Sequence, residues 1–483
     1  MGLVTPIELP PLADLDPVHF IAVGGSGMNG IASMMLDAGL TVSGSDRQDS
    51  KYLQALAAQG ARVHVGHDAS QLGDARTVVA SSAIRDDNPE LAEARRRGLR
   101  VLHRSAALGT LLLDRRGIAV AGTHGKTTTT AMIAHVLTGC GLDPSYVIGG
   151  ALTGSATGGH LGGGPLMVVE ADESDGSFLQ YPAEIAVVTN VDPDHLSNWG
   201  TAENYADGFL AFAAAEGVRV LVISADDPGA VALTERVRER VADRALPYTV
   251  VTFGEAADAD VGIRRLDLAG TGSSFDLEQV GSGGPVTLSV PGHYNVLNAA
   301  ASYAVARAVG ASDAEVRREL SAYGGTYRRF QLIGTVNGVR VYDDYAHHPT
   351  EVLNTLIAAR TAVGDGRVVA CFQPHLYTRT RDFWRELAAA LEHADEAVVM
   401  DVCGDREDPI AGIDGALVAN AIGSGAVRAG ATRVTYQPVW DEAAPTVADI
   451  ARPGDLVITI GCGDVTKVAP KIVAELQLRS GTP

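Results

Sequence analysis

Cysteine, basic side chains and long apolar segments are all scarce in this sequence. Its four cysteines stand far apart and include no Cys-x-x-Cys pair, which argues against a disulfide-rich scaffold and against a cysteine zinc site. The 58 acidic residues outnumber the 38 basic ones, for a net charge of −20, so we expect no nucleic-acid partner. The chain has no run of about eighteen apolar residues, and it begins with neither a basic nor an apolar segment. We therefore expect no membrane insertion and a cytoplasmic location.

The composition is otherwise that of a globular protein. The 483 residues are 46% hydrophobic and 20% charged, and a chain of this length predicts two to four domains. Strand-like apolar runs alternate with helical patterns along the chain, which predicts the α/β class. The pattern changes near Leu108 and at Gly324-Gly325, so we predict domains over residues 1–106, 107–325 and 326–483.

The segment Gly122-Thr-His-Gly-Lys-Thr-Thr-Thr-Thr130 is the strongest functional signal. It joins the apolar run Ile118 to Ala121 to a helical pattern. At such a junction glycines let backbone N–H groups approach an anion, Lys126 can reach the β- and γ-phosphates, and Thr127 can bind Mg²⁺. The first glycine stands three positions before the second, whereas the strict phosphate-loop pattern has five, so an ordinary turn is the alternative. The residues predicted to hold the triphosphate are Gly122, Thr123, His124, Gly125, Lys126, Thr127 and Thr128.

A second glycine loop stands near the start of the chain. Gly25, Gly27 and Gly30 match G-x-G-x-x-G after an apolar run, and Asp46 follows the next run. This pattern predicts a nucleotide diphosphate beside a helix N-terminus and, in its literal form, a nicotinamide cofactor. A dehydrogenase needs only one of the two loops, so the pair favours another function.

Polar side chains follow several of the predicted strands. Glu170 to Asp175 follow the run Pro165 to Val169, and Asn190 to His195 follow the run Ile185 to Thr189. Open parallel sheets bind their ligands at the carboxyl ends of strands, so we expect ligands of the central domain among these residues. Strand-like runs, among them Val368 to Phe372, recur after Gly324 and predict a further α/β domain.

The motifs, taken in order, resemble the Mur ligases of peptidoglycan synthesis. The resemblance covers essentially the whole chain and rests on GGSGMNGIA, SGSD, SSAIRDDNPE, GTHGKTTTT, EADESDGSF, TNVDPDH, PGHYNVLNAA, RRFQ, DDYAHHPTE, FQPHLYTRT and GCGD. His124 in the loop is similar to the branch of the family that adds L-alanine. The resemblance implies a Rossmann-like UDP-sugar domain, a central ATPase domain of the P-loop type, and a Rossmann-like carboxyl-terminal domain that closes on ATP and the amino acid.

The reaction that this resemblance implies is the joining of L-alanine to the carboxylate of UDP-N-acetylmuramate. ATP would activate the carboxylate as an acyl phosphate, with Mg²⁺ (or Mn²⁺ in its place) as cofactor, in a monomer or homodimer. Within the family, the alternative is the recycling ligase that adds a preformed tripeptide to the same sugar nucleotide. Outside it, the alternatives are a nicotinamide-dependent oxidoreductase and a non-catalytic nucleotide-binding regulator.

The resemblance also implies roles for particular residues. The implied metal ligands are Thr127 and Glu170 for a first ion and His195 for a second, although a lone histidine is more often structural and Mg²⁺ prefers oxygen. The implied catalytic residues are Lys126, His195, Arg329, His348 and Arg379. The implied adenine, phosphate and ribose contacts are Asn295, Asn298, Arg329 and Asp344. The implied UDP-sugar contacts are Gly25, Ser26, Gly27, Met28, Asn29, Gly30, Asp46, Ser81 and Ser82.

Some positions keep two interpretations. Asp172, Glu173 and Asp175 are either further metal ligands or acids at a helix N-terminus. Later ligases of the family use a carbamylated lysine near the second metal, but no lysine occurs between Lys126 and Lys467. His347 is expected to help His348 and Arg379 at the substrate, whereas Arg328 is expected to be only a solvated charge.

Overall fold

The structure is a computed structural model that describes residues 3–150, 158–244, 246–405, 407–423 and 432–481. The chain divides into two compact units. The first comprises Met1–Arg265, Phe275–Val286 and Leu297–Tyr323, and the second comprises Leu266–Ser274, Thr287–Val296 and Gly324–Pro483. Among the described residues, the β-strands form sheets of five, ten and six strands.

The five-stranded sheet is parallel and has the order β3-β2-β1-β4-β5. Its strands are β1 (Val18–Ile21), β2 (Val42–Asp46), β3 (Arg62–Val65), β4 (Thr77–Ala80) and β5 (Arg100–His103). Its helices are α1 (Ser26–Asp37), α2 (Lys51–Gln59), α3 (Pro89–Arg96) and α4 (Arg104–Leu112). The strand order reverses between β1 and β4, which is where doubly wound sheets bind ligands, and the loop that follows β1 is the first glycine loop.

The ten-stranded sheet has the order β15-β14-β13-β12-β11-β10-β6-β9-β7-β8. Its strands are β6 (Arg116–Ala121), β7 (Ser145–Val147), β8 (Gly159–His160), β9 (Leu166–Glu170), β10 (Ala183–Val188), β11 (Val220–Ser224), β12 (Thr249–Gly254), β13 (Val261–Ala269), β14 (Gly272–Gln279) and β15 (Ser282–Leu288). The helices in this part of the chain are α5 (Lys126–Gly139), α6 (Leu196–Trp199), α7 (Ala202–Ala213), α8 (Pro228–Val241), α9 (His293–Ala308) and α10 (Asp313–Ala322). β6 pairs in parallel with both β9 and β10, so the carboxyl ends of these three strands meet at one edge.

The six-stranded sheet has the order β16-β17-β21-β18-β19-β20 and is parallel except for β16, which pairs antiparallel with β17. Its strands are β16 (Gln331–Val336), β17 (Val339–Asp344), β18 (Val368–Phe372), β19 (Glu396–Met400), β20 (Arg433–Gln437) and β21 (Leu456–Ile460). Its helices are α11 (Pro349–Val363), α12 (Tyr377–Leu391), α13 (Gly415–Ala419), α14 (Ala443–Ile450) and α15 (Val468–Ser480).

Burial on both faces explains why the central strands appear in the sequence as continuous apolar runs. In β18, Val368, Ala370 and Phe372 belong to one core cluster, while Val369 and Cys371 belong to another. Successive side chains of a strand point to opposite faces, and helices cover both faces of a parallel sheet. An uninterrupted apolar strand is therefore the expected pattern.

Several helices begin and end where their sequences provide caps. Asp227 accepts a hydrogen bond from the backbone N–H of Ala230, and Pro228 is the first residue of α8, which is the usual start of a helix. Ser50 caps α2 in the same way, and Gly60 ends that helix with φ 107°. The positions of these helices are therefore determined locally.

The predicted α/β class is confirmed, since parallel strands alternate with helices in all three sheets. The predicted run Val368 to Phe372 coincides with β18, and the run Pro165 to Val169 differs from β9 by one residue at each end. Across the described residues, no helix combines the length and the apolar character that a membrane span requires.

Candidate active site

The predicted phosphate loop joins β6 to α5, and its two glycines have a steric reason. Gly122 has φ 136°, and a side chain there would overlap the hydroxyl of Thr189. Gly125 has φ 83° and caps α5, and a Cβ atom there would lie 2.9 Å from the amide oxygen of Asn298. Positive φ values and close neighbours both exclude larger residues.

Polar residues at the end of β10 hold this loop in place. The backbone N–H of His124 donates to Asn190 Oδ1 at 2.9 Å, and Asn190 Nδ2 donates to the carbonyl of His124 at 3.0 Å. Thr189 Oγ1 also donates to that carbonyl at 2.6 Å. The sequence predicts ligands among Asn190 to His195, but it does not predict that Asn190 holds the backbone of the loop.

Lys126 folds back onto its own loop. Its ammonium donates to the carbonyls of Gly122 at 2.6 Å and Thr123 at 3.0 Å, and lies 2.7 Å from Glu173 Oε2. Burial by itself lowers the pKa of Lys126, but the carboxylates of Glu173 and Asp172 outweigh burial, and the pKa is raised. The lysine is therefore a cation at neutral pH.

The two residues predicted as ligands of the first metal touch each other. Thr127 Oγ1 donates to Glu170 Oε1 at 2.9 Å, and Glu170 Oε2 accepts from the backbone N–H of Gly149 at 2.7 Å. Thr127 lies in the first turn of α5, which follows β6, and Glu170 ends the neighbouring strand β9, so the two strands bring them together. A hydroxyl and a carboxylate are hard oxygen ligands of the kind that Mg²⁺ prefers, so this pair fits the predicted ion.

The imidazole of His195 lies near two carboxylates. It precedes α6 with φ 54°, and its Nε2 is 3.3 Å from Asp194 Oδ2 and 3.9 Å from Glu173 Oε1. Glu173 is 1% exposed, and its burial raises the pKa of its carboxyl to about 7, although Lys126 acts in the opposite direction. Glu173 thus lies between the two predicted catalytic groups, Lys126 and His195.

The two neighbouring acids have protein partners. Asp172 Oδ2 accepts from Arg104 at 2.5 Å, and Asp175 Oδ2 accepts from the hydroxyl of Ser82 at 2.6 Å. Burial by itself raises the pKa of Asp172, but the charges of Arg104 and Lys126 outweigh burial. The pKa of Asp172 is therefore lower than its usual value. Sequence reasoning missed Arg104, which no motif distinguishes from other arginines.

The first glycine loop is built differently. Gly25 is the N-cap residue of α1 and has φ −65°. Residues with a side chain also adopt this φ value. A Cβ atom at Gly27 would lie 3.2 Å from Arg104, and one at Gly30 would lie 3.1 Å from the backbone of Gly158 and Gly159. These two glycines therefore allow close packing against other parts of the same unit.

The remaining predicted UDP-sugar contacts lie around that loop. Met28 and Asn29 are buried in α1, and Asn29 donates to the carbonyl of Gly25 at 2.8 Å. Asp46 accepts from the backbone N–H of Gly24 at 2.9 Å, and Ser81 follows β4. The side chain of Ser26 lies outside the described part of the chain. The contacts of these residues with a sugar nucleotide remain predictions.

The predicted adenine contacts lie one helical turn apart in α9. Asn298 accepts from Thr129 Oγ1 at 3.0 Å, which ties α9 to α5. Asn295 donates to the carbonyl of Pro291 at 2.7 Å, just before the helix. Both side chains therefore have structural partners, and their contact with adenine stays a prediction.

In the second unit, Asp344 and the arginines after Tyr327 are held by local contacts. Asp344 is 4% exposed, and its carboxylate accepts from the backbone N–H groups of Phe330 at 2.7 Å and Ala346 at 2.8 Å. Burial raises its pKa to about 6, against the opposing effect of Arg329. The guanidinium of Arg329 lies 5.0 Å from the centre of the Tyr345 ring. The ribose contact of Asp344 and the phosphate contact of Arg329 remain predictions.

Arg328 is not the solvated charge that the sequence suggested. Its side chain is 13% exposed, and its Nε lies 3.2 Å from Asp343 Oδ2. It also donates to the carbonyl of Gly461 and lies over the ring of Tyr345. A motif of two adjacent arginines does not show how far Arg328 is covered, because that depends on contacts with Asp343 of β17 and with Gly461 after β21.

The predicted histidines follow β17, and Arg379 lies in α12. His347 Nδ1 is 3.2 Å from Glu351 Oε2, and burial lowers the pKa of His347 to about 3 despite this carboxylate. His348 caps α11 in a capping box with Glu351 and packs against the ring of Phe383. A structural role as helix cap accounts for His348, so its catalytic role remains a prediction.

The fold and the loop define a nucleotide-binding α/β protein of the phosphate-loop class. The chain belongs to the Mur ligase family: family models described as catalytic domain, middle domain and glutamate ligase domain match residues 17–116, 120–306 and 328–463. Sequence reasoning had identified this family, and the prediction is confirmed.

Individual relatives are similar over almost their full length. The chain is 52% identical to a UDP-N-acetylmuramate–L-alanine ligase of Cutibacterium acnes, covering 99% of both chains. It is 49% identical to one of Thermobifida fusca, covering 99% of this chain and 100% of the relative. A crystal structure of UDP-N-acetylmuramate-alanine ligase from Thermotoga maritima matches with 27% identity and a TM-score of 0.79, covering 96% of this chain and 99% of the other.

Proposed function

We propose that this protein is an ATP-dependent ligase that joins L-alanine to the carboxylate of UDP-N-acetylmuramate. The products are UDP-N-acetylmuramoyl-L-alanine, ADP and phosphate, and the reaction serves peptidoglycan precursor synthesis in the cytoplasm. The observation that carries the proposal is the phosphate loop, in which Lys126 pairs with Glu173 and the next residue, Thr127, contacts Glu170. The full-length similarity to L-alanine ligases supports the choice of substrates.

The chemistry explains why such a ligase needs this loop. A carboxylate oxygen is a poor leaving group, so amide formation requires phosphorylation of the carboxylate first. Phosphoryl transfer is catalysed mainly by positioning and by neutralising charge on the transferred group. Lys126 supplies a partly buried cation for that purpose, and the amine of L-alanine then displaces phosphate from the acyl phosphate.

Thr127 and Glu170 would hold a Mg²⁺ ion, or Mn²⁺ in its place, and His195 would contribute to a second site. A metal there would neutralise charge on the phosphates when bound. In the second unit, Arg329 is proposed to contact a phosphate and Arg379 the carboxylate of the amino acid, for which its planar fork is suited. Asn295, Asn298 and Asp344 are proposed for the nucleoside, and the first glycine loop with Asp46 for the UDP end. We further propose the domain bounds 1–106, 107–325 and 326–483, and a monomer or homodimer.

A phosphate-release assay with a panel of acceptors tests this function. With ATP, Mg²⁺ and UDP-N-acetylmuramate, we expect L-alanine to be the preferred acceptor, glycine to be slower and bulky amino acids to fail, because a small pocket discriminates weakly against one missing methyl group. Faster release with L-Ala-γ-D-Glu-meso-diaminopimelate would identify the tripeptide-adding enzyme instead. Tight binding of a nicotinamide cofactor without phosphate release would favour an oxidoreductase.

A further inference from the structure

The ammonium of Lys126 is already surrounded by oxygens of its own unit. An ammonium carries three N–H donors, and three oxygens lie within 3.0 Å of Lys126 Nζ: the carbonyls of Gly122 and Thr123 and Oε2 of Glu173. A phosphate that Lys126 binds therefore competes with these oxygens for the ammonium.

Glu173 is the ionisable member of this set, and its position is fixed. Its backbone carbonyl accepts from the indole N–H of Trp199 at 2.9 Å and from the N–H of Gly176 at 3.1 Å. Its carboxylate is buried, and among the described residues it has ion pairs with Lys126 and His195 but accepts no hydrogen bond of good geometry. Such a carboxylate depends on the ammonium for its stabilisation.

The other acids near the loop are compensated elsewhere. Asp172 is paired with Arg104 at 2.5 Å. Glu170 accepts from Thr127 and from the backbone of Gly149. Glu173 is therefore the acid whose charge competes most directly with a phosphate for Lys126.

We infer that Glu173 is a positioning residue that holds Lys126 within its loop until a nucleotide phosphate displaces it. The inference rests on the proposed function, because it takes the phosphates of a nucleotide as the displacing group. Glu173 and the phosphate are alternative counterions of one ammonium. Removing the charge of Glu173 should then tighten nucleotide binding, whereas damage to the structure would weaken it.

Titration of the full-length protein with ADP in the presence of EDTA tests this inference without a contribution from metal. We expect Glu173→Gln to bind ADP about tenfold more tightly than the parent protein. Glu184→Gln is the matched control, because it removes one carboxylate at the amino end of β10, where Glu184 pairs with Arg116 at 2.8 Å. It should leave the affinity for ADP unchanged. Unchanged or weaker ADP binding by Glu173→Gln would overturn the inference.

A double-mutant cycle separates competition for Lys126 from direct repulsion of the nucleotide. In a Lys126→Ala background, Glu173→Gln should no longer tighten ADP binding, and an equal gain in both backgrounds would overturn the inference. If Glu173→Gln does not fold, as judged by circular dichroism, Glu173→Asp takes its place. The shorter acid withdraws its charge from the ammonium, so it should bind ADP more tightly than the parent, and equal or weaker binding would count against the inference.

These outcomes are distinct from failure of the proposed function. A parent protein that binds ADP but releases no phosphate with UDP-N-acetylmuramate and L-alanine would refute the ligase function alone. An active ligase in which Glu173→Gln leaves ADP affinity unchanged would refute the role of Glu173 alone.

Discussion

The two glycine loops of the first unit both join a parallel strand to a helix, yet their glycines are required for different reasons. In the phosphate loop, Gly122 and Gly125 adopt φ values of 136° and 83° that other residues rarely adopt. In the first loop, Gly25 has φ −65°, and Gly27 and Gly30 provide space for an arginine side chain and for a neighbouring backbone.

Glycines in a loop between a strand and a helix can therefore be required for two different physical reasons. The phosphate loop needs an unusual backbone conformation, so that its carbonyls hold Lys126 and its ends fit between β6 and α5. The glycines of the first loop do not have positive φ values, and Gly27 and Gly30 are instead needed for the absence of a side chain. Substitutions at equivalent glycines should therefore have unequal effects, and the following predictions test that comparison.

The largest effect is expected for the cation of the phosphate loop. Lys126→Ala should lower kcat by about three powers of ten or more, because it removes charge stabilisation of the transferred phosphoryl group. Phosphate release measures this loss, and circular dichroism should show an intact fold. Lys51→Ala, on exposed α2, is the control and should keep full activity. Activity of Lys126→Ala within tenfold of the parent would contradict the role of the loop.

The next largest effect is expected at the strained glycine. Gly122→Ala should lower the free energy of unfolding by about 2 to 4 kcal/mol, since it combines a positive φ with a steric overlap at Thr189. Gly25→Ala is the matched change in the other loop. Its φ is ordinary and its Cβ atom would lie 3.4 Å from the nearest atom, so we expect a loss below about 1 kcal/mol. Equal losses in urea unfolding would show that the two loops do not differ in this way.

A smaller effect is expected where the first loop packs closely. Gly30→Ala should lower the free energy of unfolding by about 1 to 3 kcal/mol, because its Cβ atom would lie only 3.1 Å from the backbone of Gly158 and Gly159. Thermal unfolding of this variant beside Gly25→Ala measures the cost. A loss no greater than that of Gly25→Ala would show that space at Gly30 is not required.

The smallest effect concerns pH. Burial raises the pKa of Glu173 to about 7 from an ordinary value of 4.5, so the folded protein binds the proton more tightly than the unfolded chain. Its contribution to stability is therefore present at low pH and is lost as pH rises from about 4.5 through about 7. Glu173→Gln should flatten the dependence of unfolding free energy on pH in that interval. A parent and variant with parallel pH profiles would contradict this prediction.

The place of the phosphate loop between a strand and a helix followed from the sequence alone. A Gly-Lys-Thr segment between an apolar run and a helical pattern specifies a strand, a turn and a helix N-terminus, because each of these depends on nearby residues. The same is true of β18, whose apolar run gave both of its ends, and of α8, whose Asp227 and Pro228 mark its start. The family followed from the order of such local motifs.

Only the tertiary structure decided which partner each polar side chain has. Arg104 meets Asp172 across 68 residues, and His124 meets Asn190 across 66. Arg328 contacts Asp343 and Gly461, which lie far from it in the sequence. The order of strands in a sheet is not the order in the chain: β6 lies between β9 and β10, which both follow it in sequence. Spacing along the chain therefore carries no information on which strand ends become neighbours, and those neighbours determine the partners of Lys126, Thr127 and Glu173.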